Sequence, residues 1–233
     1  MLQFVRSYIL LSLFLGSVGL FAQSTADKIT HDLELWQGAK VKKFITNDFY
    51  IGLNNQARFN DRIRKFKFGF FDFQTGYRFH ELFRMAMGYR YTVRLVSNDN
   101  RGYIDAIVNK RFTKIRTAID FRLKFQIAKA NITQSSVEYT LRPRLGVKYY
   151  PNNWARWNFR LYTEFFYSMN ENKRAFTHYR IAFGGRYRIN DQLYFNMSYL
   201  MQHKFASSFP SMSHVAYITL YIKISAKTNE MSN

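Results

Sequence analysis

The 233-residue sequence contains no cysteine and few acidic residues. The lack of cysteine excludes disulfides, zinc–thiolate sites and thiol nucleophiles together. Only 15 Asp and Glu residues stand against 35 Lys and Arg, a balance that normally indicates nucleic acid or an anionic membrane surface as partner. Aromatic residues, however, make up 19% of the chain, with 24 Phe and 17 Tyr. This is far more than a basic nucleic-acid-binding module needs, so the charge has to be interpreted together with the aromatic residues.

Long apolar runs are also missing, except near the N-terminus. There a single early cation, Arg6, precedes an apolar run from about Tyr8 to Phe21, which is the pattern of a secretory signal peptide. We place its cleavage after Ala22, and an uncleaved membrane anchor is the alternative. The run is shorter than the ~20 residues that a spanning helix needs. No later segment approaches that length, so a mature protein inserted in a membrane would not cross it as helices.

The remaining sequence alternates apolar and charged residues over long stretches. The stretch "FRMAMGYRYTVRLV", residues 83–96, is one example. In a strand, Met85, Met87 and Tyr89 share one face and Arg84 and Arg90 share the other. Alternation of this kind holds for about 11 to 15 residues at a time, whereas soluble strands usually have ~5–6 residues. The longer runs suit membrane-crossing strands of ~9–11 residues with some overhang.

Short connections between these runs alternate with longer polar ones, such as "INDQ" at 189–192 followed by "HKFASSFPSMS" at 203–213. This asymmetry is typical of an outer-membrane barrel with short periplasmic turns and longer extracellular loops. We therefore predict an all-β fold, a single antiparallel transmembrane β-barrel of about ten strands within residues 48–225. The ten runs begin near Asp48, Lys65, Phe83, Tyr103, Lys114, Val137, Arg156, Ala175, Gln192 and His214.

The two ends of the chain lie outside this predicted barrel. Residues 1–22 are the predicted signal peptide, and we interpret residues 23–47 as an N-terminal segment in the periplasm or in contact with the lumen. The stretch "ITHDLELWQGAKVKKF" within it is long enough for an extra strand. Because such barrels need an even number of strands, twelve strands is the alternative count. Residues 226–233 are predicted to be an unstructured tail.

Several short motifs carry a resemblance to a known family. They include "TGYRF" at 75–79, "MGYRY" at 87–91, "HYRIAFGGRYRI" at 178–189 and "SHVAYITLYI" at 213–222. The sequence resembles the domain of unknown function numbered 2490, a family of outer-membrane proteins of Bacteroidetes-type bacteria, over roughly residues 33–224. The resemblance implies an outer-membrane β-barrel. It brings no assigned activity and no catalytic residues.

The alternation places many basic side chains, and few acidic ones, on the predicted inner face. Charges in a lumen must be paired or solvated, so one interpretation is a structural ladder of ion pairs in a narrow barrel. The other is a narrow, porin-like, anion-preferring channel, because a ring of arginines favours anions. The candidate lumen charges are Arg84, Arg90, Arg94, Arg122, Arg142, Arg144, Arg160, Arg180, Arg186, Glu138 and Glu164.

An outer-membrane lipid- or envelope-modifying hydrolase near the extracellular rim is the alternative function. Its candidate residues cluster around the last long loop, although no acidic residue there completes a triad: His203, Ser207, Ser208, Ser211, Ser213 and His214. We assign no catalytic, cofactor or metal residues, because the histidines lack metal-ligand spacing, and we expect no cofactor.

The expected location is the outer membrane of a Gram-negative cell, after cleavage of the signal peptide. The expected partners are outer-membrane lipid, lipopolysaccharide, the barrel-assembly machinery and small anions. Nucleic acid is not expected, because a signal peptide and aromatic residues segregated to one face argue against it.

Overall fold

The computed structural model describes residues 30–130, 136–152, 156–170, 173–205 and 210–226. The predicted signal peptide and residues 227–233 of the predicted tail lie outside these ranges. The described residues form eleven strands and no helix: β1 Thr30–Phe44, β2 Phe49–Asn60, β3 Lys65–Arg78, β4 Phe83–Val93, β5 Asp99–Phe112, β6 Thr117–Ala130, β7 Glu138–Tyr149, β8 Trp157–Asn170, β9 Lys173–Arg188, β10 Leu193–Lys204 and β11 Ser211–Ile224. Consequently, the part of the chain described here holds no helix capable of crossing a membrane.

The eleven strands form one closed barrel in which each strand pairs with its neighbours in sequence. Every consecutive pair is antiparallel, and β1 closes the barrel by pairing with β11 in parallel. The parallel pair follows from the odd count, because the first and last of an odd number of alternating strands point the same way. The structure thus has one strand more than the ten expected and one fewer than twelve. The N-terminal segment supplies it, as β1, and odd-numbered membrane barrels are known.

The odd count gives the barrel two distinct ends. We call the end at which β1 begins the N-terminal end, and the end at which β11 finishes the C-terminal end. Four of the five connections at the C-terminal end have four residues each, at 45–48, 79–82, 113–116 and 189–192. The connections at the N-terminal end are shorter than expected, because β9 begins at Lys173 and β11 at Ser211. The first strand therefore begins at one end of the barrel and the last strand finishes at the other, whereas ten strands would begin and finish at the same end.

The barrel wall separates an apolar outer face from a polar inner face. In β4, Met87 and Tyr89 lie outside and are about half exposed, whereas Ala86 and Thr92 point inward and are buried. The same division holds in β6, where Asp120 and Lys124 are buried inside. A small apolar cluster, Trp36, Ala182, Leu200 and Val215, packs inside the barrel near β1. The remaining interior is mainly polar, so it resembles a lumen more than a hydrophobic core.

The connection between β2 and β3 is a tight turn with left-handed backbone. Arg62 and Ile63 have φ of 56° and 71°, and the Arg64 amide donates to the Asp61 carbonyl at 3.2 Å. Positive φ at both central positions defines a type I′ turn, which favours Asn or Gly because a Cβ is crowded there. A β-branched isoleucine is the least suitable side chain for such a position.

Replacing Ile63 by glycine is therefore expected to stabilise the barrel by about 1 kcal/mol, because it relieves left-handed strain. Unfolding by guanidinium in detergent micelles measures the change. Ile119→Gly is the matched control. It removes an isoleucine of similar exposure from a regular, paired position in β6, where glycine is expected to destabilise. Loss of stability in both variants would contradict the strain at Ile63.

Candidate functional site: the charged lumen

The inner wall carries six buried carboxylates among the described residues. Each is at most 6% exposed. Burying a charge is costly unless it is paired and hydrogen-bonded, and each of these carboxylates has basic partners across or beside it. They are Glu34, Asp72, Asp99, Asp105, Asp120 and Glu164.

Glu164 of β8 is the centre of the largest group. Its carboxylate accepts hydrogen bonds from Arg122 and from Arg142, the latter at 3.1 Å, and Arg180 Nη1 lies 3.7 Å away. Arg122 also reaches toward Asp105, with Nε 3.8 Å from the carboxylate. These arginines come from β6, β7 and β9. One carboxylate therefore links four adjacent strands of the barrel wall.

Two further groups surround this centre. Asp120 contacts three bases, with Arg160 at 2.9 Å, Arg144 at 3.1 Å and Lys148 at 3.3 Å. On the other side, Asp72 accepts from Arg90 and from the Tyr103 hydroxyl, both at 2.5 Å, and Asp105 pairs with Lys124 at 3.3 Å. Most of these carboxylates therefore have more than one base within salt-bridge distance.

The remaining buried carboxylates lie toward the N-terminal end. Glu34 accepts from Lys67 Nζ at 2.7 Å and from the Trp36 indole at 2.8 Å. Asp99 binds Arg94 at 2.7 Å and Arg101 at 2.8 Å. The carboxylates at this end of the lumen are thus also paired with bases. One of these bases, Arg94, lies just beyond the end of β4.

Some inward cations have no carboxylate within salt-bridge distance in the described part of the chain. The Arg58 guanidinium lies 3.5 Å from the centre of the Trp36 ring, and its Nε donates to Gln56 at 2.8 Å. Arg186 donates to Asn196 at 2.6 Å. The Arg84 side chain makes no hydrogen bond or ion pair with the described residues, and its Nε is buried. The lumen therefore has more positive charge than its carboxylates neutralise.

A cavity of about 540 Å³ lies within the barrel, on the side of the Glu164 group that faces the N-terminal end. Glu164, Arg142 and Arg180 line its inner part. Glu138, the first residue of β7, and Asn170, the last of β8, line it near the N-terminal end. The paired arginines are therefore accessible to a solute that enters this cavity.

The eleven sequence-predicted lumen charges fall into three groups. Seven arginines form ion pairs on the inner wall or its rim: Arg90, Arg94, Arg122, Arg142, Arg144, Arg160 and Arg180. Glu164 is the acceptor for three of them, while Arg84 and Arg186 point inward without a carboxylate partner among the described residues. Glu138 is exposed at the N-terminal end and joins no ion pair there. The structure thus places eight of the eleven in ion pairs, and Arg84, Arg186 and Glu138 outside them.

The alternation also predicts Asp72 and Asp120 on the inner face, together with Glu164, so sequence reasoning missed three of the six buried carboxylates. Glu34 lies in β1, which was not expected to be a barrel strand, and Asp99 lies in a stretch expected to be a loop. Asp105 was detectable, because "YIDAIV" at 103–108 places it opposite Ile104 and Ala106 in the alternation. The inward lysines Lys40 and Lys42 were missed together with β1.

The residues considered for a hydrolase do not form a catalytic arrangement within the described ranges. Ser213 is 7% exposed inside the barrel, whereas the neighbouring His214 points to the outer wall, since successive strand residues face opposite sides. There His214 contacts the His31 ring and the Tyr199 hydroxyl, at 3.3 and 2.6 Å. Ser207 and Ser208 lie outside the described residues.

The described residues also include no group of three or more His, Asp or Glu side chains arranged to hold a metal ion. Fold and interior together define the class of the protein: a closed, eleven-stranded β-barrel with an apolar outer wall and an arginine-rich interior. Residues 33–212 match the family described as "Protein of unknown function (DUF2490)", and the chain belongs to that family. No curated protein matches the chain.

Proposed function

We propose that this protein is an outer-membrane β-barrel that acts as a narrow, anion-preferring channel. The observation that carries the proposal is the excess of cations on the inner wall. Six buried carboxylates face a larger set of inward arginines and lysines, several of which have no acidic partner in the described ranges. Rings of arginine favour anions in narrow pores because they lower the electrostatic energy of an entering negative charge.

The outer wall supports the membrane part of this proposal. Large apolar side chains are exposed around the barrel, among them Phe71, Phe183 and Met197 at 50% or more. A soluble protein rarely exposes a contiguous apolar surface of this extent, whereas lipid would cover it. The strands have 11 to 16 residues, enough to cross the hydrocarbon layer when tilted. The short turns at the C-terminal end of the barrel support the proposal that this end faces the periplasm.

Planar-bilayer recording of the purified protein tests the channel. Under a KCl gradient, we expect a reversal potential whose sign shows that chloride permeates several-fold better than potassium. Unheated protein that migrates faster than boiled protein in a detergent gel establishes that the recorded sample is folded. Cation preference, or no conductance from folded protein, would contradict the proposal.

A further inference from the structure

Four cations gather at the C-terminal end of the lumen, away from the ion pairs of Glu164. They are Lys42 of β1, Arg84 of β4, Arg186 of β9 and Lys223 of β11; Lys42 and Lys223 are direct partners in the paired strands, and Lys42 and Arg84 lie against the same Tyr50 ring. We call them the C-terminal cation cluster. None has a carboxylate within salt-bridge distance in the part of the chain that the structure describes, unlike the bases around Asp120 and Glu164.

Lys42 is the most informative member of this cluster. Its side chain is only 8% exposed, and no hydrogen bond or ion pair to its ammonium is found among the described residues. Its nearest partner is an aromatic face, with Nζ 3.3 Å from the centre of the Tyr50 ring. A cation–π contact stabilises a buried ammonium only in part, so the charge lacks a counter-ion.

Two of the other members lie against Phe44 or Tyr50, and the third lies against Tyr221, two residues before Lys223 on the same face of β11. Lys223 Nζ and Lys42 Nζ are each 5.5 Å from the centre of the Phe44 ring, and Arg84 Cζ is 5.8 Å from that of Tyr50. Arg84 Nε is buried without a hydrogen-bond partner. Arg186 Cζ lies 5.0 Å from the Tyr221 ring. The four cations therefore share one region of the lumen, in which Arg186 has an amide partner and none has a carboxylate partner among the described residues.

The acidic side chains near this region do not neutralise it. At the C-terminal end, Asp48 and Asp191 lie in the connections between strands and pair there with Arg78 and Arg188. Glu81 lies in another connection and is exposed. Deeper in the lumen, Asp72 and Asp105 are already bound to Arg90 and Lys124.

We infer that the C-terminal cation cluster is a binding site for a multivalent oxyanion of the phosphate type. Several positive charges without a carboxylate require more than one negative charge to balance them, which a single halide does not supply. Guanidinium and ammonium groups together suit phosphate oxygens, since arginine donates in a fork and lysine as a point charge. The inference deepens the proposed anion preference and rests on it for access from solution.

Binding of inorganic pyrophosphate to the full chain in detergent micelles tests the site. Calorimetric titration in a phosphate-free buffer of fixed chloride concentration is expected to show saturable binding of about one ligand per barrel. Replacing both Lys42 and Lys223 by glutamine is expected to weaken it at least tenfold. Lys42→Arg, which keeps the charge, is expected to bind within a few-fold of the natural chain, and gel mobility of unheated samples establishes that each variant is folded.

Lys43→Gln is the matched control. Lys43 follows Lys42 in the same strand but lies on the outer wall, opposite Ile51 and Ile224, so its removal changes net charge without touching the lumen. Unchanged binding in this variant supports the site. No saturable binding, equal binding in the Lys42/Lys223 variant, or equal weakening by Lys43→Gln would overturn it.

Two further readouts complete the test. If a lipid headgroup is the natural occupant, dihexanoyl phosphatidic acid, added below its micelle-forming concentration, is expected to compete with pyrophosphate. If a free solute is the natural occupant, inorganic phosphate is expected to compete with pyrophosphate. Competition by either supports an oxyanion site, and competition by neither overturns it. Pyrophosphate binding without anion-selective conductance would contradict only the channel, while selective conductance without binding would contradict only the site.

Discussion

Replacing Glu164 by glutamine is expected to destabilise the barrel by about 3 to 5 kcal/mol, because it leaves buried arginines without their counter-charge. Glu164 is 3% exposed and faces Arg122, Arg142 and Arg180. Glutamine keeps the volume and one acceptor oxygen of the side chain but removes the negative charge. Unfolding by guanidinium in detergent micelles measures the loss, and the temperature at which the folded gel band disappears gives an independent readout.

Glu138→Gln is the control for this substitution. It removes the same charge from the neighbouring strand β7, but Glu138 is exposed and joins no ion pair among the described residues. Its stability is expected to stay within about 0.5 kcal/mol of the natural chain, as for most surface substitutions. Equal stability of the Glu164 and Glu138 variants would mean that lumen water or ions replace the missing carboxylate. It would contradict a structural role for the Glu164 group.

A second variant separates loss of charge balance from loss of packing. Combining Glu164→Gln with Arg142→Gln removes one base together with the carboxylate, so part of the stability is expected to return. Arg142 also donates to Gln126 at 3.0 Å and packs 4.2 Å from the centre of the Phe166 ring, so the recovery is expected to be incomplete. A double variant that is no more stable than Glu164→Gln alone would show that charge excess is not the cause.

Most strands follow from the alternation of residues, because a wall with an apolar side and a polar side imposes period two on every strand. The runs predicted to begin at Lys65 and Phe83 start where β3 and β4 start. The same alternation placed Arg90, Arg122 and Glu164 on one face. What it did not contain is the pairing between them, since Arg122 and Glu164 are 42 residues apart in sequence and meet only when β6, β7 and β8 lie side by side.

The missing strand has a different cause. In β1, the outward positions include the polar residues Gln37 and Lys43, and inward Lys40 and Lys42 make the segment strongly basic. Its local pattern is therefore weaker than that of β4 or β6. An even strand count also argued against it, yet β1 closes the barrel in parallel with β11, whose residues lie about 180 positions further along the chain. No local pattern reports a pairing of that kind.

Replacing Gly38 by valine is expected to prevent most of the protein from folding, because Gly38 sits where β1 is held between two strands. It pairs with Gln56 of β2 and with Thr219 of β11. A Cβ at this position would lie 2.1 Å from the backbone oxygen of Asn55, which no side-chain rotation relieves. Overpacking usually costs about 1 to 3 kcal/mol, and a conflict with backbone in a closed barrel is expected to reach at least about 3 kcal/mol.

Gly102→Val is the matched control for the barrel seam. Gly102 lies in β5, and a Cβ there would meet no atom within 4 Å. Since valine favours strands over glycine, this variant is expected to fold at least as well as the natural chain. The fraction of refolded protein that keeps fast mobility in an unheated gel measures both variants. Full folding of Gly38→Val would contradict the register that places β1 between β2 and β11, and with it the eleven-stranded closure.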